Sequence, residues 1–353
     1  MTLLAIMFAA VLSAQPLVNE DILEQSVLNE VDHALNAVTM TNDVPVSAAS
    51  VDFAMLHATN GLNATQRAIG LVSSQKDGRW TWRGEDVTAV ATRLLRRVAG
   101  YSGPPLKVSI FANCIGAIAA QEHIPFMEAA RKVRALGYSG ADVMEGLSDD
   151  RIDALKSAGL VIPCVIGFTQ FEKSYDTNYC ARLMALARRC ECRRIMLVPG
   201  FYPAETNRTE VFRTIVERTN RFAAEAARNG FETIVEDFDD TRSPTYCLAG
   251  ISAFLAAAPS VGFVYDTGNF NAAGEAPENG LKLLARVRHF HLKDRPAPMS
   301  KDTVAIGSGS VPMAKLINAA RDVGYTGWFT VEVSSRKMLS AAESSIRFLD
   351  GIR

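Results

Sequence analysis

The chain has 353 residues, 48% of them apolar, and 37 Lys and Arg against 38 Asp and Glu give a net charge of −1. That length exceeds a typical single domain and allows a sizeable buried core. The charge balance argues against nucleic acid or an anionic membrane surface as the main partner.

Met1 to Ala14 is an apolar stretch closing on small residues. It has the length of a leader-peptide core and is too short to span a bilayer, so no membrane span is expected. Residues 1–19 are predicted to be a signal peptide, with a buried N-terminal helix as the alternative, and an exported or periplasmic location is preferred to a cytoplasmic one. Residues 20–103 are predicted to form a small, mostly helical domain. Asp21 to Val38 carries apolar residues at helical spacing, and Asn63 can cap a second helix running to Ser73. Asp77-Gly78 marks a tight turn, the centre of a small hairpin with Thr81 and Trp82. Asp86 to Ala99 reads as a helix whose basic end, Arg93, Arg96 and Arg97, complements its dipole before Gly100 stops it. Glu30, Asp32 and His33 do not share one helix face, so they are not read as metal ligands.

Tyr101 to Pro105 is a linker by composition. From there, over 104–353, strands and helices alternate. Strands are predicted over 106–111, 141–144, 161–168, 194–198, 232–236, 261–266, 287–291 and 327–332. The intervening helices are predicted at 125–136, 149–158, 175–190, 210–229, 246–257, 278–285, 311–323 and 340–349. Eight such pairs in roughly 250 residues are the count and size of a (β/α)8 barrel, and the alternation demands parallel strands. The fold class is therefore α/β: a TIM barrel preceded by the small helical domain. All six cysteines are read as structural, since Cys190-Glu191-Cys192 fits neither a zinc ribbon nor a thioredoxin-type pair.

In such a barrel the C-terminal strand ends converge on one mouth. Strands five to eight there end in Glu236, Asp266, His291 and Glu332, separated by 30, 25 and 41 residues. The last step leaves a long loop, Lys293 to Ser310, over the mouth. Three carboxylates and an imidazole make a hard, oxygen-rich set that suits one divalent cation, Mn²⁺ first, with Co²⁺, Mg²⁺ or Zn²⁺ as alternatives. An Asp after a strand can merely cap a helix, and a lone His can merely pack. Four suitable residues on successive strands are hard to explain that way. Lys293, Arg295, Glu145 and Asn269 are expected near the substrate, while Phe168 and Trp328 are expected in the barrel core.

Val235-Glu236-Asp237, Tyr265-Asp266-Thr-Gly-Asn269, His289-Phe-His291-Leu-Lys293-Asp294 and Val331-Glu332-Val333 resemble the sugar isomerase/epimerase branch of the xylose-isomerase-like barrels. That branch includes ketose 3-epimerases, hydroxypyruvate isomerases and inosose dehydratases, and the resemblance covers residues 106–353. It implies Glu236, Asp266, His291 and Glu332 as ligands, with the two glutamates doubling as acid and base around an enediolate. Asn269 stands where related ketose epimerases carry a histidine. Asn269 and Val304 also occupy positions where related AP endonucleases need ligands, so DNA repair is not expected. The expectation is a metal-dependent isomerase or epimerase of a sugar or keto-sugar, with a small carbohydrate as partner and self-association left open. A lyase or dehydratase of a keto-polyol or 3-keto-glycoside is the alternative, and a non-catalytic carbohydrate-binding barrel the second.

Overall fold

The computed structural model describes residues 74–76, 79–82, 85–86 and 106–352. The predicted signal peptide and the helices predicted over 21–38 and 63–73 lie outside those residues, as does all but Asp86 of the helix predicted over 86–99. The strands of the predicted hairpin do not: β1 (Ser74–Lys76) pairs antiparallel with β2 (Arg79–Trp82), Lys76 opposite Arg79, while the Asp77-Gly78 turn expected between them lies outside the described residues. A short β3 (Glu85–Asp86) adds to β2, and Asp86, predicted to open a helix, is in that strand.

The rest is a closed parallel barrel of eight strands: β4 (Lys107–Phe111), β5 (Gly140–Met144), β6 (Val165–Phe168), β7 (Arg194–Val198), β8 (Glu232–Glu236), β9 (Gly262–Asp266), β10 (Val287–Leu292) and β11 (Trp328–Val331). They pair in chain order, and β11 returns to β4 to close the ring. Val, Ile and Phe fill both faces of most strands, the pattern of strands covered by helices outside and packed side chains inside.

Around the ring lie α1 (Ala112–Glu122), α2 (Phe126–Ala135), α3 (Asp149–Ser157), α4 (Thr177–Arg189), α5 (Arg208–Arg228), α6 (Leu248–Ala257), the single turn α7 (Asn269–Ala272), a 3-10 helix (Pro277–Arg286), α8 (Met313–Asp322) and α9 (Met338–Asp350). Their ends follow local chemistry. Asp176 caps α4 by accepting from the Tyr179 amide at 3.0 Å, and Asn207 caps α5 through the Thr209 amide at 3.1 Å. Gly230 follows α5 at φ +82°, where only glycine pays no steric penalty. The alternation did not predict α1, whose residues Ala112-Asn-Cys-Ile-Gly-Ala-Ile-Ala-Ala120 lack a polar stripe and a capping side chain. Among the described residues no helix is long and apolar enough to cross a membrane. All six cysteines are free thiols.

Register decides which side chains reach the mouth. Arg288 is an extra residue where the β9–β10 pairing shifts between Val287 and His289, and beyond it His291 stands opposite Asp266. On the other side His291 pairs with Thr330. Glu332 follows two residues after Thr330, just past the end of β11, its amide bonded to the Leu292 carbonyl at 2.9 Å.

Candidate metal centre at the barrel mouth

Glu236, Asp266, His291 and Glu332 each present one donor atom, all four within 4.8 Å of one another. The first three are buried, and the Glu332 side chain is a third exposed towards the open side. His291 Nδ1 lies 2.5 Å from Glu236 Oε1 and 4.0 Å from Glu332 Oε2. Asp266 Oδ1 accepts from the Gly268 amide at 2.8 Å, so the acid does cap the turn after its strand. Its other oxygen, Oδ2, faces the Lys293 ammonium.

A cluster of buried carboxylates is costly unless positive charge meets it. Lys293 supplies one: its ammonium lies 2.9 Å from Asp266 Oδ2 and 2.8 Å from Glu332 Oε1, and donates to Asn269 Oδ1 at 3.2 Å. The compensation is incomplete. Desolvation pushes the Glu332 carboxyl up to about 7, against the pull of Lys293 and with a further push from Asp266 and Glu236. Desolvation also raises Glu236, partly offset by His291, and it raises Asp237 well above the usual carboxylate range. Burial opposes the charged forms of His291 and Lys293, yet their carboxylate neighbours hold both well above their ordinary values.

The donor set fits a divalent cation on one further count, a buried oxygen without a hydrogen bond, and its imidazole is backed by a carboxylate. Asp266 Oδ2 is ion-paired with Lys293 but makes no aligned hydrogen bond, and His291 Nε2 has no hydrogen-bond partner. Asp142 Oδ2 stands 3.5 Å from that Nε2, the place where a carboxylate behind a ligating imidazole fixes its orientation. The residues present therefore fit one hard cation, with Nδ1 of His291 facing it.

Support for this cup lies one layer deeper, in residues not singled out from the sequence. Asp142 Oδ2 accepts from His289 Nε2 at 2.7 Å and from the Thr330 hydroxyl at 3.0 Å, and Ser109 meets Thr330 at 2.6 Å. All four are buried. Burial opposes ionisation of Asp142, but His289 and His291 outweigh it and hold the carboxyl down to about 2. Asp237, beside Glu236, accepts from the Asp266 amide at 2.9 Å and so fixes the neighbouring strand end. A signal for His289 was present: residues two apart on a strand face the same side, so it had to point inward with His291.

The residues expected near substrate divide. Lys293 and Asn269 join the cup. Arg295 lines its cavity but is only 1% exposed, with its guanidinium bonded to Gly268 O, Asn269 Oδ1, Ser300 O and Asp239. Glu145 turns away: its Oε1 accepts from the Phe168 amide at 3.0 Å and Oε2 takes the Tyr179 hydroxyl. Phe168 is half-buried and lines the mouth cavity instead of the core. Trp328 sits at the opposite end of its strand, against Gly140. The Lys293–Ser310 loop is tied down by Asp294, whose carboxylate accepts from the Gly307 and Gly309 amides at 2.9 Å. From it Lys301 and Thr303 reach the cavity, which measures about 280 Å³.

With this geometry in view, a family model for xylose isomerase-like TIM barrels matches residues 130–352, more than half the chain. The chain belongs to that family. No curated protein matches its sequence. Among solved structures, one described as a probable 3-DHS dehydratase from Bacillus anthracis is 15% identical at a TM-score of 0.56, covering 69% of this chain and 99% of its own. A D-allulose 3-epimerase from Methylomonas sp. is 17% identical at 0.54, covering 70% and 98%. A xylose isomerase-like protein from Mycobacterium smegmatis, solved in complex with magnesium, is 20% identical at 0.52, covering 70% and 96%. At these identities the likeness shows the shared barrel.

Proposed function

We propose that this chain is a divalent-metal-dependent isomerase or epimerase of a sugar or keto-sugar, moving a proton at the carbon beside a carbonyl. One observation carries the reading: four donors on consecutive strand ends lie within 4.8 Å of one another and open onto a cavity sized for a small molecule. Glu236, Asp266, His291 and Glu332 would hold the cation. When bound, such an ion polarises a carbonyl and offsets negative charge developing on its oxygen. Glu236 and Glu332 both line the cavity, from strands three apart. One would take the proton and the other return it, as general base and general acid. Lys293 would donate to a substrate oxygen, steadied by Asn269, while Asp142 and Asp237 keep the ligands His291 and Asp266 in place.

The test is proton exchange in D2O. Protein stripped with chelator and reloaded with Mn²⁺ should hold one ion per chain and incorporate solvent deuterium beside the carbonyl of a responding ketose. Glu236→Gln and Glu332→Gln should each lower that exchange at least about 100-fold. Exchange from no member of a broad ketose and keto-sugar panel, at any metal, would defeat the reading. An enone absorbance on turnover would select the lyase alternative, and tight sugar binding without exchange the binding-protein one.

A further inference from the structure

The mouth cavity is polar on one half of the barrel and apolar on the other. Every charged lining residue comes from β8 onward or from the loop after β10. The facing wall is Phe111 from β4, Met144 from β5, Ile166 and Phe168 from β6, and Met196 and Val198 from β7. Phe238, just past β8, extends it, packing edge-to-face on Phe168 at 6.3 Å between ring centres. Two polar side chains near this wall are engaged elsewhere. Glu145 is held by the Phe168 amide and Tyr179, and the Thr169 hydroxyl donates to the Val198 carbonyl at 3.3 Å. The Asn113 amide points at the Met144 sulfur, 2.8 Å away.

A free polyol is a poor match for such a wall. With its enolisable oxygens in the acidic cup, its remaining hydroxyls would lie against methionine, isoleucine and phenylalanine. Each hydroxyl buried there without a partner lowers affinity roughly 5- to 100-fold. A hydrocarbon surface placed there gains affinity instead. Past Phe168 and Phe238, which packs on Phe201 at 5.8 Å, lies a second recess of about 340 Å³ whose lining is mixed, Phe201, Tyr202 and Pro203 alternating with Gln170, Glu172, Lys173 and Arg242.

We infer that the substrate is a hydroxycarbonyl compound carrying an apolar body, such as a keto-glycoside with an aryl or alkyl group. Its oxygen pair faces Glu236, Asp266, His291 and Glu332, and its body lies along Ile166, Met196, Val198 and Phe168. This rests on the cup holding a cation, and the experiment separates the two ideas. Three hydroxamates share one chelating head: acetohydroxamate, benzohydroxamate and the polyhydroxylated gluconohydroxamate. Their affinities for the Mn²⁺-loaded full-length chain are measured by calorimetry, with bound manganese counted independently by elemental analysis.

Benzohydroxamate should bind about 10- to 100-fold more tightly than acetohydroxamate, by the apolar area of its ring, and gluconohydroxamate no more tightly than acetohydroxamate. Met196→Gln should cut the benzohydroxamate preference at least fivefold while acetohydroxamate binding holds. The near-isosteric Val198→Thr gives the same readout if the first variant does not fold. A gluconohydroxamate preference, or no gain from the phenyl ring with manganese bound, overturns the inference and leaves the metal reading standing. Failure to take up manganese removes both.

Discussion

Replacing Asp142 tests whether the buried layer beneath the cup both stabilises the barrel and orients its imidazole. In Asp142→Ala, His289 Nε2 and the Thr330 hydroxyl, at 2.7 and 3.0 Å, lose their common acceptor in a site with no solvent access. Burial lowers the His289 pKa and keeps that ring neutral, so the loss is that of two buried donors left unpaired, about 1–3 kcal/mol each. For a barrel of this size, where 1 kcal/mol moves the melting temperature by about 2–4 °C, the metal-free protein should melt roughly 4–24 °C lower. Asp142→Asn keeps the shape and an acceptor oxygen, so its loss should be nearer 1–3 kcal/mol. It also removes the anion 3.5 Å from His291 Nε2, and Mn²⁺ affinity should fall about 10- to 100-fold. Calorimetric melting without metal and Mn²⁺ titration separate the two effects. An alanine variant melting within about 2 °C of the parent, or an asparagine variant binding Mn²⁺ equally well, would refute this account of the layer. A joint replacement of Asp142 and His289 by apolar residues should recover part of the stability, because the lone buried partner is then gone too.

Lys293→Met removes the ammonium lodged between Asp266 and Glu332, so Mn²⁺ should bind at least about tenfold more tightly while proton exchange falls. Weaker Mn²⁺ binding in that variant would show that the lysine does not compete with the cation. Saturating Mn²⁺ should raise the melting temperature of the parent, by about 2.7 kcal/mol of stability at a hundredfold excess over Kd, and chelator should reverse it. Gly140→Ala places a methyl 2.7 Å from Trp328 Cζ3 and 2.9 Å from the Val161 carbonyl oxygen, and denaturant melts should show a loss of about 1–3 kcal/mol. Burial pushes the thiols of Cys114 and Cys192 up to about 12 and that of Cys190 up to about 11. Mass spectrometry after iodoacetamide treatment of the native protein at pH 8 should therefore find Cys247, the half-buried thiol, alkylated first, and all six labelled after unfolding.

Some of this molecule was legible because the physics is local. Eight buried strands that alternate with helices along the chain can close only as parallel strands. A parallel barrel sends every strand's C-terminal residue to one opening. Hence Glu236, Asp266, His291 and Glu332 could be grouped from their places at strand ends alone, though 96 residues separate the first from the last. The helix α1 escaped because its face carries no alternation of polar and apolar residues to read.

What tertiary structure alone decided concerns side chains whose type permits two opposite fates. Glu145 and Arg295 look alike on paper as polar residues near strand ends. One turns back onto the Phe168 amide, and the other is buried in a web of carbonyls and Asp239. Phe168 has the composition of core yet faces the cavity, and Asp142 has the composition of surface yet lies at the barrel's centre. A strand's period of two says that a side chain faces inward or outward. Whether an inward one meets a partner, a cavity or a cation depends on residues brought alongside from strands elsewhere in the chain, and that is set by register and closure of the ring.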